Sequence, residues 1–262
     1  MARPRERISN TAWSDAGDGP AVIQIHGVGL NADAWAPQMD ALAAAHRVIA
    51  YDTLGHGSSA LPPESATLDD YVSQLAQFMD ALDLPRASLV GHSMGAMIAI
   101  AAALRHPGRV ERLIALNGVY GRTPEQRAAA LERARLVDRN GPAATRETAL
   151  ERWFGSAAEG TFARERAQVE RWLEAVDPVG YARAYRVFAT SDVGRLDGLA
   201  CPALFMTGEL DPHSTPEMSR AMAEAAPYGS AVVLPGQRHM AAFVAPDVCN
   251  SIILEFLQDG SE

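Results

Sequence analysis

Short apolar runs alternate with longer amphipathic segments through most of the chain. Six runs of three to five residues are apolar and bounded by glycine, proline or charge: 21–25, 48–51, 88–90, 113–116, 203–206 and 231–234. Between them, apolar residues recur at every third or fourth position in residues 33–45, 67–82, 94–105, 216–226 and 246–257. Buried strands that alternate with amphipathic helices predict an α/β fold, a mostly parallel central sheet with helices on both faces. Residues 8–13 predict an antiparallel strand before this series, because residues 15–19 indicate a turn.

Residues 120–195 break this alternation. They contain no strand-like run, and alanine, arginine and glutamate recur there with helical spacing. We therefore predict a helical cap at residues 120–195, inserted into a core domain formed by residues 1–119 and 196–262. The cap has 13 arginines against 11 acidic residues, whereas the whole chain has a formal net charge of −9. A solvated helical surface with i,i+4 ion pairs and a rim that attracts anions both fit this balance.

Composition bears on three questions: binding to nucleic acid, the cellular compartment, and association with membranes. All 23 basic side chains are arginines, and 32 acidic side chains outnumber them, so we expect no nucleic-acid partner. The two cysteines, Cys201 and Cys249, form neither a disulfide framework nor a zinc motif, which favours a reducing, cytoplasmic compartment. The first ten residues do not resemble a secretory signal. The longest apolar stretch, residues 96–104, is far shorter than the roughly 20 residues of a membrane span, so we expect no membrane association.

A pentapeptide of the form G-x-S-x-G lies at residues 91–95, with Ser93 at its centre. It follows the apolar run 88–90 and leads into the apolar residues 96–104, so the local pattern is strand, sharp turn, helix. Small residues are needed on both sides of the serine, because strand and helix backbones approach closely at such a turn. The hydroxyl then lies at a helix N-terminus, which favours a developing negative charge. Ser93 is a candidate nucleophile, and a glycine-rich connection without a chemical role is the alternative.

A nucleophilic serine needs a base and a group that orients the base. Asp211 lies in the loop after the predicted strand 203–206, and His239 lies in the loop after the predicted strand 231–234. The order serine, aspartate, histidine along the chain is that of a known type of catalytic triad. Glu209 is a competing acid, although the spacing favours Asp211.

With these residues the chain resembles the α/β-hydrolase fold superfamily over nearly its whole length apart from the cap. The resemblance implies that Ser93 attacks a carbonyl carbon, that His239 takes its proton and returns it to the leaving group, and that Asp211 holds the imidazole. Residues 26–35 and 51–58 look most similar to enol-lactone hydrolases and related small-ester hydrolases of bacterial aromatic catabolism.

Acyl transfer also requires N–H donors directed at the carbonyl oxygen as it becomes an anion. Met94 follows the nucleophile directly. Val28 lies in the loop after the run 21–25, where proteins that this chain resembles place the second donor. We predict that the backbone N–H groups of Val28 and Met94 form an oxyanion hole.

The same glycine-rich segment supports a competing interpretation. Gly27, Gly29 and Ala32 match the pattern G-x-G-x-x-A after a strand, and Asp52 ends the next strand, as in a dinucleotide-binding oxidoreductase. Trp35 and Pro37 argue against it, because cofactor phosphate and close packing need small residues there. A non-catalytic binder of small molecules on the same fold is a third class.

The reaction that we predict is hydrolysis of a small carboxylic ester or lactone through an acyl-enzyme on Ser93. The alternatives within the family are a C–C bond hydrolase acting on a ring-cleavage product, a thioesterase and a peracid-forming enzyme. Neither a metal nor an organic cofactor is implied, and a monomer or small homo-oligomer is expected.

Substrate contacts are expected from the cap and from loops beside the triad. Trp153, Tyr120 and Met240 are candidate substrate-binding residues, and His56 and His213 are candidates to border the pocket. The excess of arginine in the cap suggests a substrate with a carboxylate, which one cap arginine would hold as a bidentate partner.

Overall fold

One eight-stranded sheet organises the computed structural model, which describes residues 3–156 and 161–258. The strands are β1 Glu6–Ile8, β2 Thr11–Ala16, β3 Ala21–Ile25, β4 Arg47–Tyr51, β5 Ala87–His92, β6 Val110–Leu116, β7 Ala203–Gly208 and β8 Gly229–Leu234. Their order across the sheet is β1-β2-β4-β3-β5-β6-β7-β8. Strand β2 pairs antiparallel with β1 and β4, and the other neighbouring pairs are parallel. The predicted mostly parallel sheet is confirmed.

Helices cover both faces of the sheet, as predicted. They are α1 Ala36–Leu42, α2 Leu68–Ala81, α3 Met94–Arg105, α4 Pro124–Asn140, α5 Ala143–Phe154, α6 Ala163–Ala175, α7 Pro178–Thr190, α8 Pro216–Ala225, α9 Ala241–Val244 and α10 Pro246–Gln258. Helices α2, α3 and α8 contribute to a hydrophobic core on one face, and α1 and α10 contribute to a second core on the other. Strands β3, β4 and β5 are almost continuously apolar because helices bury both of their faces. No helix within the described residues is both long and apolar enough to cross a bilayer.

Two segments differ from the sequence prediction. The single strand predicted at residues 8–13 is a hairpin of β1 and β2, and it turns at Ser9, whose φ is +53°. The helix predicted at residues 33–45 is a 3₁₀ turn, Ala32–Trp35, followed by the shorter α1. Pro37 lies in the first turn of α1, where its missing N–H leaves no hydrogen bond unmade, so the α-helix begins there.

The chain reverses direction across the sheet next to β3. From β3 it moves to β4 on one side, and it then returns to β5 on the other side. In parallel sheets a crevice forms at such a switch point, outside the carboxyl ends of the strands. The loops after β3 and β5 border this crevice, and the loops after β6, β7 and β8 follow along the same edge. The predicted triad and oxyanion-hole residues lie at this edge, whereas Trp153 lies on a helix between β6 and β7.

Helices α4 to α7 lie between β6 and β7 in the chain, and the described part of this span contains no strand. Leu173 and Tyr181 pack over Gly29 in the loop after β3. The guanidinium of Arg183 donates to the carbonyl oxygen of Pro62 at 2.7 Å. These helices therefore cover the carboxyl edge of the sheet, and helices α4 to α7 are called the cap below. Their division from the core as a separate domain stays a prediction.

Candidate active site

Ser93 occupies the sharp turn between β5 and α3. Its φ of +56° and ψ of −116° are unusual for a residue with a side chain and cost on the order of 1–3 kcal/mol. A Cβ on Gly91 would lie 2.2 Å from the carbonyl oxygen of Gly95, and a Cβ on Gly95 would lie 2.0 Å from that of Ile25. The glycines that flank the serine are therefore required by close backbone contact, as the motif predicts. The turn projects Ser93 into a cavity beneath the cap.

Asp211 follows β7 and is almost completely buried, with 3% of its surface exposed. Its Oδ1 accepts hydrogen bonds from the backbone N–H groups of His213 and Ser214, at 3.0 and 3.1 Å. Its Oδ2 lies 2.6 Å from Nδ1 of His239. Burial alone would raise the pKa of Asp211, but the charge and hydrogen bond of His239 and the two amides hold the pKa below its usual range. The carboxyl is therefore ionised at neutral pH.

His239 follows β8 and lines the same cavity as Ser93. Because the ionised Asp211 can only accept, Nδ1 of His239 carries the hydrogen of their hydrogen bond, and in the neutral ring Nε2 is left as an acceptor. His92 fixes the backbone here, since its Nε2 donates to the carbonyl oxygen of His239 at 2.9 Å. The indole of Trp153 stacks on the imidazole, with ring centroids 5.8 Å apart. The arrangement suits a base that takes a proton from a group in the cavity.

Asn117 is a site residue that the sequence analysis missed. It directly follows β6 with a φ of +50°, and its Nδ2 donates to Oδ2 of Asp211 at 2.8 Å. Its own carbonyl oxygen accepts from Oγ of Ser214 at 2.6 Å. An asparagine followed by glycine after an apolar strand was the available signal, because asparagine tolerates positive φ. The side chain supplies the second hydrogen bond to the oxygen that holds His239.

The two predicted oxyanion donors lie on either side of the serine. Met94 is the first residue of α3, where a backbone N–H has no acceptor within the helix. Val28 lines the cavity together with Ser93. A Cβ on Gly27 would lie 3.0 Å from Cβ of Ser93, so the loop after β3 lies directly against the serine. This proximity is compatible with the predicted oxyanion hole, whose role stays a prediction.

Two buried histidines hold the loop that carries Val28. Nε2 of His56 accepts from the N–H of Gly29, and Nε2 of His26 accepts from the N–H of Thr53, both at 3.0 Å. Burial lowers the pKa of His26 to about 4 and that of His56 to about 3. Both rings are therefore neutral at pH 7 and can accept these hydrogen bonds. His56, a candidate to border the pocket, instead braces the loop from behind.

Asp52, the acid that would bind a ribose in the dinucleotide interpretation, is already hydrogen-bonded within the protein. Asp52 is fully buried, and its two carboxylate oxygens accept from the N–H groups of Ala32 and Ser58, both at 2.9 Å. Arg5 forms an ion pair with the same carboxylate at 3.3 Å. Since the carboxylate ties these segments together, it is not free to bind a ribose hydroxyl. The dinucleotide interpretation is not supported at this residue.

A cavity of about 250 Å³ opens between the sheet edge and the cap. Three cap arginines, Arg122, Arg133 and Arg152, line it together with Ser93 and His239. Within the described residues none of the three forms an ion pair with a carboxylate, whereas arginines on the outer surface of the cap do. Burial lowers the pKa of Arg122 to about 10 and also lowers that of Arg152, but both guanidinium groups stay charged at neutral pH. The partners of these arginines are instead neutral: Arg122 donates to the carbonyl oxygens of Phe188 and Ser191, and Arg133 donates to the hydroxyl of Tyr185. The cavity wall therefore carries positive charge that no ion pair within the described residues neutralises.

Some of the other residues predicted to contact substrate line this cavity, and others do not. Trp153 and His213 line this cavity. Met240 is buried beside a smaller cavity of about 20 Å³ behind His92, and Tyr120 is half-buried against the hydrophobic core. The residues that line the main cavity do not include either of them, and their contact with substrate stays a prediction. Within the described residues no group of three or more His, Cys, Asp or Glu side chains is placed to hold a metal ion.

Comparisons with known proteins bear on the fold and the family of the chain. A family model described as "alpha/beta hydrolase fold" matches residues 20–246. The chain is 39% identical over 249 residues to the (E)-2-((N-methylformamido)methylene)succinate hydrolase of Acinetobacter baylyi, covering 94% of this chain and 93% of that protein. The enol-lactonase of Burkholderia xenovorans superposes with a TM-score of 0.89 at 27% identity, covering 98% of this chain and all (100%) of that chain. A thermophilic esterase of Thermogutta terrifontis, solved with malate bound, gives a TM-score of 0.89 at 28% identity over 98% of each chain.

Proposed function

The chain belongs to the α/β-hydrolase fold family, and from that premise we propose that it is a serine hydrolase that cleaves a small carboxylic ester or lactone. The observation that carries the proposal is the presence of three groups along one sheet edge. Asp211 is hydrogen-bonded to His239 at 2.6 Å, and His239 and Ser93 line one cavity. A serine, a base and an orienting acid are the three groups that acyl transfer through an enzyme ester requires.

The proposed first half-reaction forms an acyl-enzyme. Nε2 of His239 takes the proton of the Ser93 hydroxyl while Oγ attacks the carbonyl carbon, and the carbonyl π electrons move onto oxygen. The N–H groups of Val28 and Met94 stabilise that oxyanion, and one such donor typically contributes about 3 kcal/mol. The imidazolium, stabilised by Asp211, then gives its proton to the departing alkoxide. The C–O bond breaks, and the acyl group remains on Ser93.

The second half-reaction repeats these steps with water. His239 takes a proton from a water molecule, whose oxygen attacks the acyl carbon. The tetrahedral intermediate collapses, and the proton on the imidazolium returns to Oγ of Ser93. The products are a carboxylic acid and the free enzyme, so no redox co-reactant is consumed.

The arginines favour a substrate that carries a carboxylate. A half-buried guanidinium without an ion-pair partner carries a desolvation cost, and a carboxylate from the substrate would offset that cost for Arg122, Arg133 or Arg152. Two similar proteins fit this electrostatic pattern, since one is named as a hydrolase of a substituted succinate and another was solved with malate bound.

Cleavage of an acylated nitrogen is a second candidate function. It is favoured by the A. baylyi relative, which is 39% identical and whose name includes an N-methylformamido group. The same serine, base and oxyanion donors serve amide and ester carbonyls, because both pass through a tetrahedral oxyanion.

A substrate panel with two serine variants tests the proposal. Neutral and carboxylated esters, lactones and N-acyl compounds of matched size are assayed with wild type, Ser93→Ala and Ser73→Ala. Ser73 is exposed on α2 and is the matched control. We expect Ser93→Ala to lose nearly all hydrolysis and to melt at the temperature of wild type, and Ser73→Ala to retain activity. Hydrolysis that survives in folded Ser93→Ala would overturn the proposal, and the preferred compound class would decide between ester, lactone and acylated nitrogen.

A further inference from the structure

His213 lies two residues after the acid of the predicted triad, and the mechanism above does not use its side chain. The turn that contains it is tightly held, because its backbone N–H and that of Ser214 both donate to Oδ1 of Asp211. Ser214 also donates through Oγ to the carbonyl oxygen of Asn117. The turn that satisfies Asp211 therefore fixes the imidazole of His213 at the wall of the cavity.

The imidazole of His213 has unused hydrogen-bonding capacity. Its Nε2 is buried and has no hydrogen-bond partner within the described residues. Nε of Arg152, another residue that lines the cavity, is also buried and unpartnered. Leaving a buried polar atom unsatisfied typically costs about 1–3 kcal/mol. Nη2 of Arg122, which also lines the cavity, is a third such atom. Together these atoms indicate that a ligand with acceptor atoms completes the hydrogen bonding there.

The groups around His213 define its charge. Burial and the nearby charges of Arg152 and Arg133 together lower its pKa to about 4, although the charge of Asp211 opposes them. The ring is therefore neutral at pH 7 and carries one N–H. Because Arg152 and Arg133 belong to cap helices α5 and α4 whereas His213 belongs to the loop after β7, the cap and the sheet edge present donors to the same end of the cavity.

We propose that His213 is a specificity-determining residue, whose neutral imidazole donates a hydrogen bond from Nε2 to a substrate carboxylate that Arg152 also binds. This proposal rests on the proposed function and adds to it the end of the cavity where the carboxylate lies. A carboxylate has about four lone-pair sites, enough to accept from a guanidinium and an imidazole together. The turn that carries His213 also donates to Asp211. A carboxylate bound by His213 is therefore oriented relative to the Asp211–His239 pair.

Substitutions at His213 combined with a matched pair of substrates test this role. The measured quantity is the ratio of kcat/KM for a carboxylated ester to kcat/KM for a neutral ester of the same size. His213→Phe keeps a flat ring but removes the donor, and we expect the ratio to fall about tenfold, the effect of losing a hydrogen bond to a charged group. His213→Gln retains a donor, and we expect its ratio to lie within about threefold of wild type.

The outcomes separate this proposal from the proposed function. An unchanged ratio, with or without an equal loss of kcat/KM on both esters, would overturn the role of His213. Dependence of hydrolysis on Ser93 would still support serine catalysis. Hydrolysis independent of Ser93 would instead reject the proposed function. If melting curves show that His213→Phe does not fold, His213→Asn replaces it, because its shorter amide does not reach the position of Nε2. As a second result, we expect the inhibition constant of succinate, measured on hydrolysis of the neutral ester, to rise about tenfold in the Phe or Asn variant.

Discussion

Removing the side-chain amide of Asn117 should weaken catalysis through Asp211 without touching the substrate. The Asp211 carboxylate accepts four hydrogen bonds, and that from Nδ2 of Asn117, at 2.8 Å, shares Oδ2 with His239. Loss of one hydrogen bond to a buried, ionised acceptor costs about 1.5–3 kcal/mol. In the proposed mechanism Asp211 stabilises the imidazolium of the transition state. If the loss appears there, we expect kcat/KM to fall roughly tenfold or more.

Two variants separate the hydrogen bond from backbone strain. Asn117→Gly keeps the φ of +50° accessible, whereas Asn117→Ala adds a strain of about 1–2 kcal/mol for a left-handed residue. We expect both to lose the same activity, measured as kcat/KM on one ester. We expect Asn117→Ala to lose more free energy of unfolding, measured in urea. Full activity in a destabilised Asn117→Gly would refute the reasoning, because Asp211 would then need no support from Asn117.

The pH dependence of this loss has a definite sign. Because the folded-state pKa of Asp211 is depressed, the ionised carboxyl contributes stability that is present above its unfolded pKa of about 4 and is lost as pH falls below it. Removing the Asn117 donor raises the folded-state pKa. Because the unfolded-state pKa is common to both proteins, their difference in unfolding free energy should stay constant from pH 7 to about 4. It should shrink only at lower pH, as the carboxyl becomes protonated in the folded state.

Three further predictions concern the turn, the cavity and acid stability. Gly95→Ala should destabilise the protein by about 3 kcal/mol or more, because its Cβ would meet a carbonyl oxygen of β3 at 2.0 Å, and a normal urea midpoint would contradict this close contact. Arg152→Met should lower the preference for a carboxylated over a neutral ester about tenfold or more, whereas Arg135→Met, an exposed control on α4, should not change it. Burial lowers the pKa values of His26 and His56 to about 4 and 3, so stability should be complete above their unfolded pKa of about 6.5 and decline as pH falls below it. Unfolding free energies that stay constant from pH 7 to pH 5 would contradict the burial of these neutral rings.

Local patterns in the sequence were sufficient to predict most of the elements and their order. Strand β3 and helix α3 begin and end where periodicity and flanking residues place them. The serine turn was predictable because the small residues that it requires, Gly91 and Gly95, are close to Ser93 in the sequence. The N-terminal hairpin was not predicted, since a turn at Ser9 depends on a positive φ that carries no glycine signal.

Long-range contacts explain what the sequence could not predict. Asn117 and Asp211 are 94 positions apart, and the pairing of β6 with β7 brings their side chains together. Arginine content predicted a basic cap, but which arginines lack acidic partners depends on how α4, α5 and α7 pack. Each of the two interpretations of the cap charge fits a different set of arginines. Arginines on the outer surface form ion pairs, whereas Arg122, Arg133 and Arg152 line the cavity.

The most direct test of the central claim is the site of covalent labelling by a fluorophosphonate, located by peptide mass spectrometry. A serine activated by His239 and Asp211 should react in native protein, and the mass increase should map to the peptide that contains Ser93 and be absent from heat-unfolded protein. Labelling should fall sharply in His239→Gln, because the members of a catalytic triad act as a unit. A label on another residue, or none on native protein that hydrolyses its ester, would contradict the account.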